Sequence, residues 1–376
     1  MPANRWNIKL FEPSFAAWEP QSEPSRQIAV LMSGGVDSSV AAHLLREQGW
    51  DVLGITMKIP VSCRTGSRGC CGADAALVCH ELSIPHYFVD VTEAFEKLII
   101  ERFRLSYGKG ETPNPCVDCN TLLKFSLVWD FLEETFGIRH LATGHYARVI
   151  QTGGPARLGR AKDRAKDQSY FLYGIAREKL ARFVLPLGEM TKHDVRATAG
   201  RLGLTVAEKA ESMELCFAGE GDYRAALAST GADRPGDITD MRGNIIGSHK
   251  GIAHYTLGQR RGIGLAGGKP LYVGRICART NTIALGTREE ASLQTINADR
   301  INALIPGELV AGRPMFGKIR SYGEPQPCTL ATVGRAGVTA EFDRPQFAPC
   351  PGQRLVLYNG DDNIVAGGTI AAEVIS

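Results

Sequence analysis

The first strong pattern along the chain is a solid apolar run, Ile28-Ala29-Val30-Leu31-Met32, with no polar position inside it. A strand that is apolar on both faces belongs in a parallel sheet covered by helices. The run breaks at Ser33-Gly34-Gly35-Val36-Asp37-Ser38-Ser39 and resumes as Val40-Ala41-Ala42-His43-Leu44-Leu45, whose spacing predicts a helix. The alternation recurs. Asp51 to Met57 predicts a second strand, Ala73 to Leu82 a helix, and Pro85 to Val89 a third strand. Ala94 to Tyr107 and Leu122 to Phe136 predict helices, and Leu141-Ala142-Thr143-Gly144-His145 another strand end. Such alternation indicates a parallel sheet with helices on both faces, whose ligands bind beyond the carboxyl ends of the strands. Ser33 to Asp37, Met57 and Thr143 to His145 would share that edge.

Near residue 220 the periodicity changes. Pro235-Gly236, Arg242-Gly243-Asn244 and Gly262 to Gly268 punctuate short segments. From Asn281 onward, short alternating strands are parted by turn signals such as Asn359-Gly360-Asp361. This is the pattern of a small all-β unit, read as a barrel. At 376 residues the chain exceeds one ordinary core. The expected division is a flexible leader at 1–26, a catalytic α/β domain at 27–220, a central domain at 221–287 and a C-terminal β-barrel at 288–376.

Composition narrows the setting. Hydrophobic residues are 44% and charged residues 22%, and no apolar stretch has membrane-spanning length. The leader, with Pro13, Pro20 and Pro24, has neither the apolar core nor the cleavage site of a secretory signal. A cytoplasmic protein is expected, and in a reducing compartment its ten cysteines are more readily ligands or reactive thiols than disulfides. The net charge of +3 neither demands nor excludes nucleic acid. Arg157, Arg160, Lys162, Arg164 and Lys166 form a local cluster, with further basic points at Arg260-Arg261 and Lys318 to Arg320. These could meet a phosphate backbone or simply be solvated.

The glycine turn at Ser33 to Ser39 is the first chemical signal. Main-chain N–H groups converge where the helix begins, and the aligned peptide dipoles there favour an anion. The turn lacks the Gly-Lys-Ser/Thr ending whose lysine reaches the outer phosphates in kinases and GTPases. Asp37 stands among the serines instead, placed to hold magnesium against a pyrophosphate. The second signal is Thr112-Pro113-Asn114-Pro115-Cys116-Val117-Asp118-Cys119-Asn120, where two prolines stiffen the approach to a Cys-x-x-Cys pair. A helix is expected to begin near Asn120, so its dipole would stabilise a thiolate just before it. Cys216 is a third candidate. Cys63, Cys70, Cys71 and Cys79 read as idle or buried thiols, and Cys277, Cys328 and Cys350 as packing. His43, His80, His86 and His140 read as ordinary strand or helix positions.

Activation of an oxygen by AMP transfer makes it a leaving group, and a cysteine persulfide could then replace it with sulfur, a second cysteine resolving the first. The phosphate loop, Thr112 to Asn120, Ala142 to Tyr146, Lys166 to Leu172, Cys216-Phe217, Tyr255 to Arg260 and Pro351-Gly352-Gln353 together resemble the tRNA-specific 2-thiouridylases of the PP-loop ATP pyrophosphatase superfamily. The resemblance runs from about residue 27 to the end. It implies an ATP- and magnesium-dependent sulfurtransferase acting on the wobble uridine of tRNAs for Lys, Glu and Gln. Sulfur would come from a cysteine desulfurase through carrier proteins, and the enzyme would act as a monomer away from membranes. It further implies Cys119 as nucleophile, Cys216 as persulfide carrier, and ATP contacts at Leu31, Met32, Ser33, Gly34, Gly35, Val36, Asp37, Ser38, Met57 and Gly144. For tRNA it implies contacts at Asn114, Pro115, Cys116, His145, Lys166, Asp167, Gln168, Arg320, Ser321 and Gln353.

Two positions depart from the family pattern. Arg320-Ser321 stands where many members have Arg-Tyr, and Cys116 stands where some have aspartate. With Cys116, three thiolates (Cys116, Cys119, Cys216) could instead hold an iron–sulfur cluster with one iron open to hydrosulfide. Two other readings stay open at this level. One is a nitrogen-transferring PP-loop ligase of the amidotransferase or lysidine-forming type. The other is a nucleotide-regulated RNA-binding protein with the β domain as its platform.

Overall fold

Gln27–Leu31, the solid apolar run, is buried at all five positions because it is an interior strand of the first sheet. The computed structural model describes residues 6–60, 71–210, 215–217, 233–264 and 269–372. The chain divides into two units, Met1–Leu98 with Cys116–Gly219, and Ile99–Pro115 with Glu220–Ser376.

The first unit holds β1 (Lys9–Leu10), β2 (Gln27–Leu31), β3 (Asp51–Lys58), β4 (His86–Asp90), β5 (His140–Thr143), the hairpin β6 (Ala147–Ile150) and β7 (Arg157–Arg160), and β8 (Phe183–Val184). The sheet order is β1-β4-β3-β2-β5-β8. All pairs are parallel except β1 with β4. The order runs outward from β2 to β4 on one side and then reverses to β5 on the other. A crevice therefore opens at the carboxyl ends of β2 and β5, where such sheets bind ligands. Helices α1 (Val36–Glu47), α2 (Cys71–Glu81) and α3 (Lys192–Arg201) belong to this unit. Val40, Ala41 and Leu45 of α1 and Val195 and Ala199 of α3 share one core with Ile28 and Val30.

The leader differs from expectation. Lys9 and Leu10 pair with Asp90 and Val89. Phe11 N and Ser14 N donate to Phe88 O and His86 O at 3.0 and 2.9 Å, and Trp18 N donates to the Tyr87 hydroxyl at 2.9 Å. These residues supply the open edge of β4 with the backbone partners it would otherwise lack.

The second unit contains a four-stranded sheet, β9 (Gly236–Asp240), β10 (Ile245–His249), β11 (Tyr272–Cys277) and β12 (Thr282–Gly286), in the order β10-β9-β12-β11. A closed six-stranded barrel follows, built from β13 (Ser292–Ala303), β14 (Pro314–Lys318), β15 (Gln326–Gly334), β16 (Gly337–Phe347), β17 (Arg354–Tyr358) and β18 (Ile364–Ile370). Alternate residues Ile296, Leu330, Ala340, Phe342, Leu355 and Val365 fill it. The α/β fold with a small central domain and a terminal barrel is thus the architecture found.

Candidate functional site

The phosphate loop is shaped by glycine and by its own serines. Gly34 has φ +69°, a region glycine enters without steric cost. Gly35 is the N-cap of α1 and offers no side chain to the first-turn N–H groups. The Ser38 and Ser39 hydroxyls turn back to Gly35 O at 3.1 and 2.9 Å, and Ser38 Oγ accepts from Ser33 N at 3.2 Å. The loop is thereby tied through its oxygens, while the start of α1 keeps the geometry of an anion seat. Gly144, at the end of β5, lies against this turn. A Cβ there would come within 2.6 Å of Ser38 N and 2.7 Å of the Asp37 carbonyl carbon. Leu31, Met32 and Val36 are buried. Met57 lies at the carboxyl end of β3.

Asp37, the expected magnesium ligand, is paired here with a lysine. Lys192 Nζ donates to both its oxygens, at 2.7 and 2.9 Å, and the Tyr146 hydroxyl donates to Oδ1 at 2.8 Å. Lys192 is the first residue of α3, with only 11% of its side chain exposed. A second lysine, Lys209, donates to Gly34 O at 2.8 Å and pairs with Asp74. The cation that the loop sequence lacks is thus supplied twice from elsewhere. No local spacing announces either lysine, since Lys192 is 155 residues from Asp37 and Lys209 is 175 from Gly34.

The cysteine pair is set differently from the expected position ahead of a helix. The helix begins at Pro115, continues from Pro115–Asp118 into a π-helical stretch at Cys119–Val128, and ends at Trp129–Phe136. Proline suits the first turn, where its missing N–H costs nothing. Cys116 lies in the first turn and Cys119 one turn in. Burial pushes the Cys119 thiol above its ordinary value, with Lys124 acting against that and Cys116 and Asp118 with it. Desolvation also raises Cys116. Burial thus works against the thiolate stabilisation expected at the helix terminus.

Cys216 is exposed by surface area, yet protein crowds its thiol. Desolvation, then Cys119 and Cys116, push it up to about 12. The three thiols therefore lie within electrostatic reach of one another and of Lys124. The Lys124 ammonium donates to Asn120 Oδ1 at 2.9 Å, and Asn120 Nδ2 donates to Phe171 O at 3.1 Å. Phe217, next to Cys216, meets Phe95 edge to face at 6.1 Å. Lys124 interrupts the apolar stretch Leu122 to Phe125, a signal that the sequence reading passed over. Among the described residues no group of three or more His, Cys, Asp or Glu is arranged to hold a metal ion. Cys63 and Cys70 lie outside the described residues, and Cys79 is buried against β3, its thiol pushed up to about 12 by burial.

The residues expected to meet tRNA fall into two sets. In the first unit, Asp167 is turned inward: it pairs with Arg160 at 3.3 Å and accepts from Ala161 N, Ser169 N and Ser169 Oγ at 3.0, 3.2 and 3.0 Å. Its side chain is 1% exposed, so its carboxylate cannot be a surface contact. Arg160 leaves the basic cluster for the same reason, while Lys162 and Arg164 are exposed and Lys166 partly so. Gln168 Oε1 accepts from Tyr146 N at 2.9 Å and braces the turn after Gly144. His145 shares a 2.8 Å hydrogen bond with Thr143, and burial, then Lys124, hold its pKa near 3, so it is neutral at physiological pH.

In the second unit, Gln353 uses both ends of its amide on the segment before the cysteines. It donates to Thr112 O at 3.1 Å and Pro113 O at 3.3 Å, and accepts from Asn114 at 3.3 Å. Pro115 closes that segment. Arg320 donates to Phe347 O and Ala348 O, and Tyr322, after Ser321, is 72% exposed.

Comparison with known proteins finds family models and relatives along most of the chain. Residues 26–220 match the family model described as tRNA methyl transferase HUP domain, 224–287 the tRNA methyl transferase PRC-barrel domain, and 294–370 the aminomethyltransferase beta-barrel domain. The tRNA-specific 2-thiouridylase MnmA of Lachnoclostridium phytofermentans is 39% identical over 357 residues, spanning 92% of this chain and 99% of its own. That of Moorella thermoacetica is 42% identical over 352 residues, spanning 91% and 98%. Among solved structures, an NMN synthetase from Francisella tularensis aligns with 50% of this chain and 66% of its own, at 17% identity and a TM-score of 0.32. With a phosphate loop, a Cys-x-x-Cys helix and full-length relatives at this identity, the chain belongs to the tRNA-specific 2-thiouridylase family.

Proposed function

We propose that this protein replaces O2 of the wobble uridine in tRNAs for Lys, Glu and Gln with sulfur, using ATP. The observation that carries the reading is that one unit holds both the anion seat of Ser33 to Ser38 and three mutually interacting thiols. The uridine O2 attacks the α-phosphorus of ATP, the bond to the bridging oxygen breaks, and pyrophosphate leaves from the start of α1. Magnesium would be carried by the phosphate oxygens, which it favours with few protein ligands, and would neutralise charge on the leaving pyrophosphate.

The terminal sulfur of a Cys216 persulfide, loaded by a carrier protein or cysteine desulfurase, then attacks C2 and expels AMP. Cys119 thiolate attacks the Cys216 sulfur, its proton having gone to solvent. The S–S bond to the substrate sulfur breaks, 2-thiouridine departs, and a Cys119–Cys216 disulfide remains for an external dithiol to reduce. Lys124 stabilises the thiolates as they form. Cys116 lies beside the nucleophile, where it contacts the target base together with Asn114 and Pro115. An iron–sulfur cluster held by Cys116, Cys119 and Cys216 is the alternative reading of the same three thiols, and the test below separates the two.

Lys162, Arg164 and Lys166 of the first unit contact the RNA backbone, and Arg320, Ser321 and Gln353 of the second unit are separate tRNA contacts. The domain limits proposed for this activity are 27–220, 221–287 and 288–376. No helix among the described residues is long and apolar enough to cross a membrane, and a cytoplasmic monomer is the form proposed. The test is incubation of anaerobically purified protein with transcript tRNA, ATP and a persulfide donor, reading pyrophosphate and 2-thiouridine. Iron-free protein should make both. Thiolation that requires bound iron and acid-labile sulfide would overturn the persulfide route.

A further inference from the structure

The first turn of α1 brings together a helix N-terminus, the Asp37 carboxylate and a largely buried lysine. Peptide dipoles at a helix N-terminus disfavour a cation and favour an anion. Yet the Lys192 ammonium is brought to this turn through Asp37, and Lys192 is itself the first residue of α3. The placement is held from both sides. Lys192 N donates to Asp163 Oδ2 at 2.9 Å, and Thr191 and Asp194 close a capping box around the start of α3. Tyr146 braces the same carboxylate, and its ring lies 5.8 Å from the ammonium. Asp163, Thr191 and Asp194 already satisfy the start of α3, which leaves Asp37 opposite Lys192 and the start of α1, where Gly35 offers no capping side chain, a balance open to a phosphate anion. An ion pair serving only to join α1 to α3 would also gain nothing from standing at the anion seat.

We propose, on the adenylation reading above, that Lys192 is the fixed cation of this phosphate loop. Asp37 holds it against the pyrophosphate moiety of ATP, taking the part that a loop lysine plays in kinases. Asp37 is then a positioning residue acting through Lys192, and magnesium is carried by the phosphate oxygens.

Binding of ATP and of inorganic pyrophosphate to the full chain, at fixed magnesium, tests this by calorimetry. Lys192→Gln should weaken both by about tenfold or more, as expected for loss of a charged hydrogen bond, and Lys192→Arg should restore most of that loss. Asp37→Asn should weaken binding without raising the magnesium concentration needed for half-saturation. The double variant should be no weaker than the worse single one, because the two residues act as one unit.

Unaltered pyrophosphate binding by Lys192→Gln would overturn the proposal, as would additive losses. Should Lys192→Gln fail to fold, Asp37→Asn decides alone, and a raised magnesium requirement would sink the idea. A wild-type chain that binds ATP through Lys192 but releases no pyrophosphate with tRNA would overturn the adenylation reading and leave this assignment standing.

Discussion

Asp167 shows how a residue adjacent to expected contacts can have a structural task. Its carboxylate satisfies Arg160, Ala161 N and both donors of Ser169. Asp167→Ala would take the carboxylate away from a buried guanidinium and two buried backbone N–H groups, and breaking such a pair costs about 3–5 kcal/mol. Urea unfolding should show that loss; unchanged stability with weakened tRNA binding would return Asp167 to the interface. The thiols permit a second test. Because burial raises Cys119 and Lys124 opposes it, single-turnover thiolation should climb with pH past the ordinary thiol value of about 8.5. Lys124→Gln removes the opposing cation and should move the climb to still higher pH. A profile flat above pH 7 would mean that thiolate formation does not limit the step. Cys216→Ala should lower thiolation at least about a hundredfold while pyrophosphate release continues, since adenylation precedes the sulfur step.

At the scale of the element, the cysteine helix is widened at Cys119–Val128, and wide turns of this kind often mark functional sites. Its seat includes Gly174, where a Cβ would come within 1.9 Å of Thr121 Oγ1. Gly174→Ala should force the helix to shift, costing about 1–3 kcal/mol, readable as a lower unfolding midpoint. Strand β4 contributes a pH effect. His86 is fully buried, bonded to Thr56 at 2.8 Å and Ser14 at 2.8 Å, and burial lowers its pKa to about 4. The unfolded chain protonates this histidine near pH 6.5 and the folded chain does not. Stability is therefore complete above pH 6.5 and falls as pH drops toward 4, by about 3 kcal/mol. Chemical denaturation at pH 7.5 and 4.5 measures it, and His86→Gln should flatten part of the difference.

For the whole molecule, a small net charge leaves tRNA binding to local patches. Affinity should fall with salt, and the Lys162→Ala, Arg164→Ala double variant should lessen the slope by about one to two phosphates. An unchanged slope would take that cluster out of the interface. What could be read without coordinates was local. Solid apolar runs announced β2 and β3, a glycine turn announced the anion seat, and period-two strands with turn signals announced the barrel. These follow from near-neighbour rules of backbone conformation and burial, so the chain's own order suffices to show them. The pairing of Asp37 with Lys192, the hold of Lys209 on Gly34, the inward turn of Asp167 and the raised Cys119 thiol were not legible. Each depends on which elements the reversal of strand order brings beside β2 and on how deeply a side chain is enclosed. The sequence by itself determined that a glycine turn of phosphate-loop pattern and a Cys-x-x-Cys pair exist. Only the tertiary structure decided which cations stand at that turn and how deeply the thiols are enclosed, because the lysines reach the turn across separations of more than a hundred residues and desolvation is set by whatever packs around a side chain.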